Sequence, residues 1–380
     1  MKKIYSIAIL FLVALTCKAQ TYSFTYQGQS RNYIVHLPSG YVQGQVLPLV
    51  LNFHGYTSNA SQQESYTQFD AVADTAHFIV VYPNGISNSW NAGIGLDPTI
   101  DDVGFTSALI DTLHKKFNVN LYRVYATGFS NGGFMCHRLA CQLSDRIAAI
   151  AAVSGTIGTY TSYFTCTPSR KVPVMHIHGT SDSTVYYLGT NYGTSADSTV
   201  HFWRNNDMCP ASPVITNLPN TNTTDGSTVT KYDYTLCGDS TEVVFLKVIG
   251  GSHSWPGAVG LSGTNMDIKA SGVIWTFFRK FHLPYNVTSI EDTHADISEQ
   301  PLSIQPNPFS EKINLKINVS GISEIAVYNI LGEKIYECSD AENFTKSSVF
   351  VISNLNIRSG LYLLKVKTDY AYFDYKIIKL

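Results

Sequence analysis

Ser130 lies in Gly128-Phe129-Ser130-Asn131-Gly132-Gly133, after the apolar, β-prone run Tyr122 to Ala126 and before Phe134 to Ala140, which reads as a helix. A serine on a sharp strand-to-helix turn is lifted above a sheet edge, and the flanking glycines remove the Cβ atoms that so tight a turn would crowd. A hydroxyl is a weak nucleophile unless a base takes its proton and a third group orients that base. Two later loops offer both. Val172 to Ile177 runs into His178-Gly179-Thr180-Ser181-Asp182, and an apolar run ending at Ile249 leads into Gly250-Gly251-Ser252-His253-Ser254-Trp255-Pro256-Gly257. The chain order serine, aspartate, histidine is one in which this chemistry recurs, so Ser130, Asp182 and His253 are the expected catalytic residues for acyl transfer. The oxyanion of such a reaction needs backbone donors. The Asn131 amide, opening a helix, and the Tyr56 amide, after the buried run Leu49 to Phe53 and His54-Gly55, are the expected oxyanion hole.

Other residues invite a role and are weighed against simpler ones. His176 and His178 stand two apart on a strand and so share a face, but no third ligand is near in sequence, and packing is preferred to metal binding. His54 is expected to support the oxyanion loop rather than act as a base. In Asp101-Asp102-Val103-Gly104-Phe105 a carboxylate is expected to cap the following helix, where it accepts first-turn amides. Trp90 and Trp255 are candidate substrate-binding walls for a sugar or an aromatic acid. No metal and no cofactor are expected.

The elements that must position these residues alternate. Near-continuous apolar runs suited to a parallel sheet buried on both faces are Leu47 to Phe53, Phe78 to Tyr82, Tyr122 to Ala126, Ile147 to Val153, Val172 to Ile177 and Val243 to Ile249. Helical patterns fall between them over Gln62 to Ala76, Val103 to Phe117, Gly133 to Leu143 and Ala196 to Asn205, with a last one over Ala270 to Phe281. Such alternation predicts an α/β fold with the site at the carboxyl ends of the strands. All four loops named above follow strands. An antiparallel hairpin is expected ahead of the sheet, from Thr21 to Leu37 around Gln27-Gly28-Gln29.

Met1 to Ala19, with Lys2 and Lys3 before an apolar Ile7 to Leu15, reads as a secretory signal peptide, so the mature chain is expected to begin near Gln20. Ala14 stands three before Cys17, where a lipoprotein signal takes a leucine-like residue, which makes acylation of Cys17 the lesser reading. Charged residues make up 14% of the chain and the net charge is −2, which gives no electrostatic reason to expect nucleic acid or an anionic membrane as partner, and no stable membrane insertion is expected. Export permits disulfides. Cys209 and Cys237 flank the polar stretch Pro210 to Leu236, and a bridge there would staple an otherwise loose excursion. Cys141 with Cys166 is the second expected pair, with Cys136 to Cys166 as its alternative.

Gly128-Phe-Ser-Asn-Gly-Gly, Asp101-Asp-Val-Gly-Phe, His178-Gly-Thr-Ser-Asp182 and Gly250-Gly-Ser-His-Ser-Trp-Pro-Gly257 resemble the secreted esterases of carbohydrate esterase family one and the related polyhydroxybutyrate depolymerases, over roughly residues 22 to 283. The resemblance implies a three-layer α/β-hydrolase sandwich. It implies feruloyl or acetyl esters of plant xylan as substrates, with a short-chain polyester as the alternative and a non-catalytic surface binding protein as the remote one. Many members carry cysteine after His-Gly where this chain has Tyr56, a change that spares the amide but alters the first subsite.

The expected domains are the signal peptide over 1–19, the hydrolase over 20–283, a polar linker over 284–303 and a small all-β sandwich over 304–380. Short alternating strands are read over Lys312 to Val319, Ile325 to Asn329, Val349 to Ile352 and Tyr362 to Lys367, separated by turns such as Leu331-Gly332-Glu333 and Ser359-Gly360. Pro306-Asn-Pro308, Val327 to Gly332, Ser359-Gly-Leu-Tyr362 and the ending Lys376 to Leu380 resemble the C-terminal sorting domain of type IX secretion. That resemblance implies passage to the cell surface or medium, with the secretion machinery as partner.

Overall fold

The computed structural model describes residues 20–283 and 302–380, apart from 98, 160–164, 260–262, 318–321, 330–332, 340–343, 345–348, 354, 356 and 369–371. The expected signal peptide, nearly all of the expected linker and the turn at Leu331-Gly332 lie outside the described residues. Two compact units divide the chain, Met1–Tyr285 and Asn286–Leu380.

The first unit is built on a ten-stranded sheet. Its strands are β1 (Gln20–Tyr26), β2 (Gln29–His36), β3 (Leu47–Phe53), β4 (Ile79–Pro83), β5 (Val119–Phe129), β6 (Ala149–Val153), β7 (Val174–Gly179), β8 (Val214–Asn217), β9 (Thr228–Tyr234) and β10 (Val243–Ile249). The spatial order is β1-β2-β4-β3-β5-β6-β7-β10-β9-β8. From β4 to β10 the neighbours pair in parallel, and the hairpins β1-β2 and β8-β9 extend the sheet antiparallel at its two ends. Helices cover both faces, which makes three layers.

Alternation along β3 shows why those layers form. Leu47, Leu49, Leu51 and Phe53 face one core, shared with α3 (Asp102–Phe117), α4 (Asn131–Gln142) and α5 (Ala196–Asn206). Val50 faces the other, shared with α2 (Phe69–Ala76) and α6 (Ala270–Phe278). A strand apolar at successive positions must be covered twice, and the helical crossovers provide the cover.

Two local expectations are corrected. The pattern over Gln62 to Ala76 is two helices, α1 (Ala60–Thr67) and α2, because Gln68 adopts φ 50° and ψ 35° between them. A left-handed residue ends a helix. The polar stretch Pro210 to Leu236 is no loose excursion, since it supplies the edge strand β8 and its inner neighbour β9. Its Cys209–Cys237 bridge forms, as does Cys141–Cys166, while Cys136 is a buried free thiol.

The second unit packs two antiparallel sheets. One runs β11 (Leu302–Gln305), β12 (Lys312–Ile317), β15 (Val349–Ser353), and the other β14 (Lys334–Cys338), β13 (Ile322–Tyr328), β16 (Gly360–Thr368), β17 (Tyr372–Lys379). Leu302, Phe309, Ile313, Leu315, Ile325, Val327, Leu364 and Ile377 fill the space between. The first strand begins at Leu302, two residues inside the stretch read as linker, and β11, β14 and β17 were not distinguished in the sequence.

Candidate active site

Ser130 stands between β5 and α4 with φ 55° and ψ −120°. No L-residue prefers that conformation, which costs of order 1–3 kcal/mol and persists only where surroundings enforce it. Close backbone packing enforces it here. The Ser130 amide donates to Val153 O at 2.9 Å, and Ser130 O accepts from the Phe134 amide at 3.0 Å. A Cβ on Gly132 would meet Phe53 O at 2.1 Å, and one on Gly128 would meet Gly132 O at 2.5 Å. Only glycine lets β3, β5 and α4 approach so closely.

The loops after β7 and β10 bring an acid to a base. His253 Nδ1 lies 2.8 Å from Asp182 Oδ2. The other carboxylate oxygen, Oδ1, accepts the Thr184 and Val185 amides, each at 2.9 Å. Burial pushes the Asp182 carboxyl up, but the hydrogen bond and charge of His253, with His178 and the Thr184 amide, outweigh burial and hold it below the usual carboxylate range. Asp182 is therefore ionised at neutral pH, and His253 must carry its proton on Nδ1, leaving Nε2 as the lone-pair nitrogen.

Behind Asp182 lies a feature that the strand-packing reading of His176 and His178 did not describe. His178 Nε2 is 2.8 Å from Val185 O and 3.5 Å from Asp182 Oδ2, so it carries the proton and donates toward both. Its Nδ1 then accepts from His176 Nε2 at 3.2 Å. Burial lowers the pKa of both imidazoles, which stay neutral. The pair fixes the 182–185 loop from below.

The loop after β3 abuts the serine. A Cβ on Gly55 would touch Ser130 Cβ at 3.4 Å, which sets the His54-Gly55-Tyr56 backbone directly against the elbow. His54 Nε2 accepts the Gly85 amide at 3.0 Å and Nδ1 donates to Gly55 O at 2.7 Å. Its burial, partly opposed by the Gly55 bond, lowers its pKa to about 4, so it is a neutral strut. The Asn131 amide, at the first helical position of α4, has no intrahelical acceptor and remains available.

Trp90 and Trp255 correct the expectation of substrate walls. Both are buried, with at most 1% of their surface exposed, and neither lines the cavity beside Ser130. Trp90 instead joins the His54 loop to the start of α4. Its amide donates to Asn131 Oδ1 at 2.7 Å, its carbonyl accepts from Asn131 Nδ2 at 3.1 Å, and its indole Nε1 donates to His54 O at 2.9 Å. Trp255 anchors the histidine loop, donating its amide to the Tyr66 hydroxyl at 2.9 Å and its indole Nε1 to Ser271 Oγ at 3.2 Å. Polar neighbours in sequence gave no sign of this burial. Asp101 caps α3, accepting the Gly104 amide at 2.8 Å, as expected. Asp102 does something else. It is buried, pairs with Arg31 at 2.7 Å and accepts the Asn91 amide at 2.8 Å, holding the Trp90 segment from its far side.

Ser130 and His253 line one open cavity of about 850 Å³. Tyr56, Tyr66, Phe129, Thr184, Val259 and one side of α1 also line it, and among the described residues none that lines it is Asp, Glu, Lys or Arg. The Phe129 ring packs 4.7 Å from the His253 ring. Among the described residues no group of three or more His, Cys, Asp or Glu is arranged to hold a metal ion, and no helix is long and apolar enough to cross a membrane.

Each unit has a match among known families. Residues 100–200 match the Phospholipase/Carboxylesterase family, and residues 303–380 match the Secretion system C-terminal sorting domain. The chain is 29% identical over 231 residues to a bifunctional acetylxylan esterase/xylanase of Neocallimastix patriciarum, covering 60% of this chain and 31% of that one. It is 35% identical over 164 residues to feruloyl esterase B of Piromyces equi, covering 42% and 30%. It thus spans less than a third of the length of those two relatives. With feruloyl esterase D of Neurospora crassa it shares 27% identity over 276 residues, 69% of this chain and 86% of that one.

Proposed function

We propose that this chain, which joins a carboxylesterase-type α/β-hydrolase unit to a secretion-system C-terminal sorting domain, is a secreted serine esterase that removes feruloyl or acetyl groups from plant xylan. The observation that carries the reading is the Asp182–His253 hydrogen bond beside a strained Ser130, with the Gly55 backbone in contact with the elbow. In this reading Ser130 attacks the ester carbonyl while His253 Nε2 takes its proton. The tetrahedral oxyanion is received by the Asn131 and Tyr56 amides, each such donor typically worth about 3 kcal/mol of barrier. His253 returns the proton to the departing sugar oxygen, and the acyl group stays on Ser130. Water, activated by the same imidazole, then releases the acid. Asp182 holds the ring and balances its charge. No step calls for a cofactor.

The domain limits follow from the same reading. Residues 1–19 direct export and are removed, 20–283 catalyse, 284–303 connect, and 304–380 are read by the type IX secretion machinery. Names of relatives support the acyl and polymer classes, since they include acetylxylan and feruloyl esterases. One purified sample assayed on methyl ferulate, acetylated xylan and a polyhydroxybutyrate suspension tests the choice. Release of ferulate or acetate without clearing of the suspension is expected. Clearing with no acid released from the first two would make the polyester the substrate.

A further inference from the structure

Helix α1 forms one wall of the cavity, and its exposed side is unusual in composition. Ser61, Gln62, Ser65 and Gln68 are all exposed and all line the space that contains Ser130 and His253. Positions 61, 65 and 68 fall at i, i+4 and i+7, so they make one stripe, with 62 beside it. The stripe runs roughly 10 Å along the helix axis. Among the described residues the side chains of Ser61, Ser65 and Gln68 have no hydrogen-bond partner, and Gln62 uses only its Oε1, which accepts from Ser58 Oγ at 2.9 Å.

Each of these groups is both donor and acceptor. A ligand that satisfies them must also be both. A polyester offers acceptors alone, and its aliphatic backbone would strip water from the serine and glutamine groups without replacing it. An anionic polymer finds no cation, because among the described residues none that lines the cavity is lysine or arginine. Tyr56, 55% exposed and lining the same cavity, gives an aromatic face to a ring.

We infer that the exposed stripe of α1 is the subsite for the alcohol half of the ester, an uncharged, hydroxyl-rich sugar chain that lies along Ser61, Gln62, Ser65 and Gln68. The inference rests on the esterase reading of Ser130 and His253 and adds to it where the polymer binds. It also accounts for the separation of α1 from α2. Gln68, in its left-handed conformation, ends α1 while presenting its amide to the same cavity.

The test is the combined variant Ser61→Ala, Ser65→Ala, Gln68→Gly. Both alanines favour the helix, and glycine suits the φ of 50° at position 68. The selectivity ratio, kcat/KM for an acetylated xylo-oligosaccharide over kcat/KM for p-nitrophenyl acetate, is expected to fall tenfold or more, through KM with kcat preserved. A thermal melt shows whether the variant is folded. Calorimetry with an unesterified xylo-oligosaccharide reads the subsite without turnover, and binding to the parent is expected to weaken at least tenfold in the variant. An unchanged ratio and unchanged binding in a folded variant would overturn the subsite. A parent that binds the oligosaccharide through α1 but hydrolyses neither ester would keep the subsite and overturn the esterase reading instead.

Discussion

The serine arm and the acid–base arm of the site are held by different physics. Ser130 is fixed by backbone packed on backbone, where Gly128 and Gly132 leave no room for a Cβ between β3, β5 and α4. Asp182 and His253 are fixed by hydrogen bonds, where two loop amides, the His178 imidazole and the Tyr66 hydroxyl under Trp255 each hold one piece. The first arrangement is rigid and intolerant. The second is distributed, so any one contact can be lost and the loop retained. Sterics therefore set the position of the proposed nucleophile, and a polar network sets the orientation of the proposed base.

Substitution on each side sharpens the contrast. On the serine side, Gly132→Ala forces a Cβ against Phe53 O at 2.1 Å and His54 O at 2.7 Å, backbone atoms that cannot move alone. Overpacking of this kind costs about 3 kcal/mol. The expected result is a melting temperature lower by roughly 5–10 °C and nearly complete loss of esterase activity, since the oxyanion loop shifts with Phe53 and His54. A Gly132→Ala protein as stable and active as the parent would remove the steric account of the elbow.

On the acid side the expected effect is smaller. His178→Ala takes away the donor to Val185 O and Asp182 Oδ2 but leaves both loop amides in place. Loss of one such supporting contact is expected to lower kcat by about 10-fold to 100-fold, by analogy with other outer-shell orienting groups, with little change in KM. His178→Gln, which retains an N–H at a similar reach, should recover part of it. Because Asp182 loses a donor, its carboxyl pKa should rise toward the usual carboxylate range. Equal kcat for the alanine variant and the parent would mean that the loop's own amides suffice.

Much of this was legible because backbone constraint leaves a residue signature. Gly-x-Ser-x-Gly marks an elbow in any sequence that folds this way, and the strands Leu47–Phe53 and Val243–Ile249 are apolar but for Asn52 and Lys247, so their limits coincide with the apolar runs. The serine, aspartate and histidine loops follow in the expected order. What escaped depends on partners remote in sequence. Trp90 sits among Ser89 and Asn91 and reads as an exposed loop residue, yet its bonds reach Asn131, 41 positions away. Asp102 has the type and place of a helix cap, but Arg31, 71 positions distant, makes it a buried ion pair. The break at Gln68 carries no glycine or proline to announce it. The strands β8 and β9 were missed because they are polar: the four residues of β8, the edge strand, are all exposed, and in β9 only Val229 and Tyr234 are buried.

In the proposed mechanism Ser130 is the nucleophile, and Asp182 and His253 activate it. A fluorophosphonate labels only a serine so activated, and intact mass followed by peptide mapping reads the outcome. One adduct per chain is expected, on Ser130, with loss of ester hydrolysis in proportion to labelling and slow or absent labelling in His253→Ala. Full inactivation with Ser130 unmodified, or hydrolysis that continues in a fully labelled protein, would contradict it.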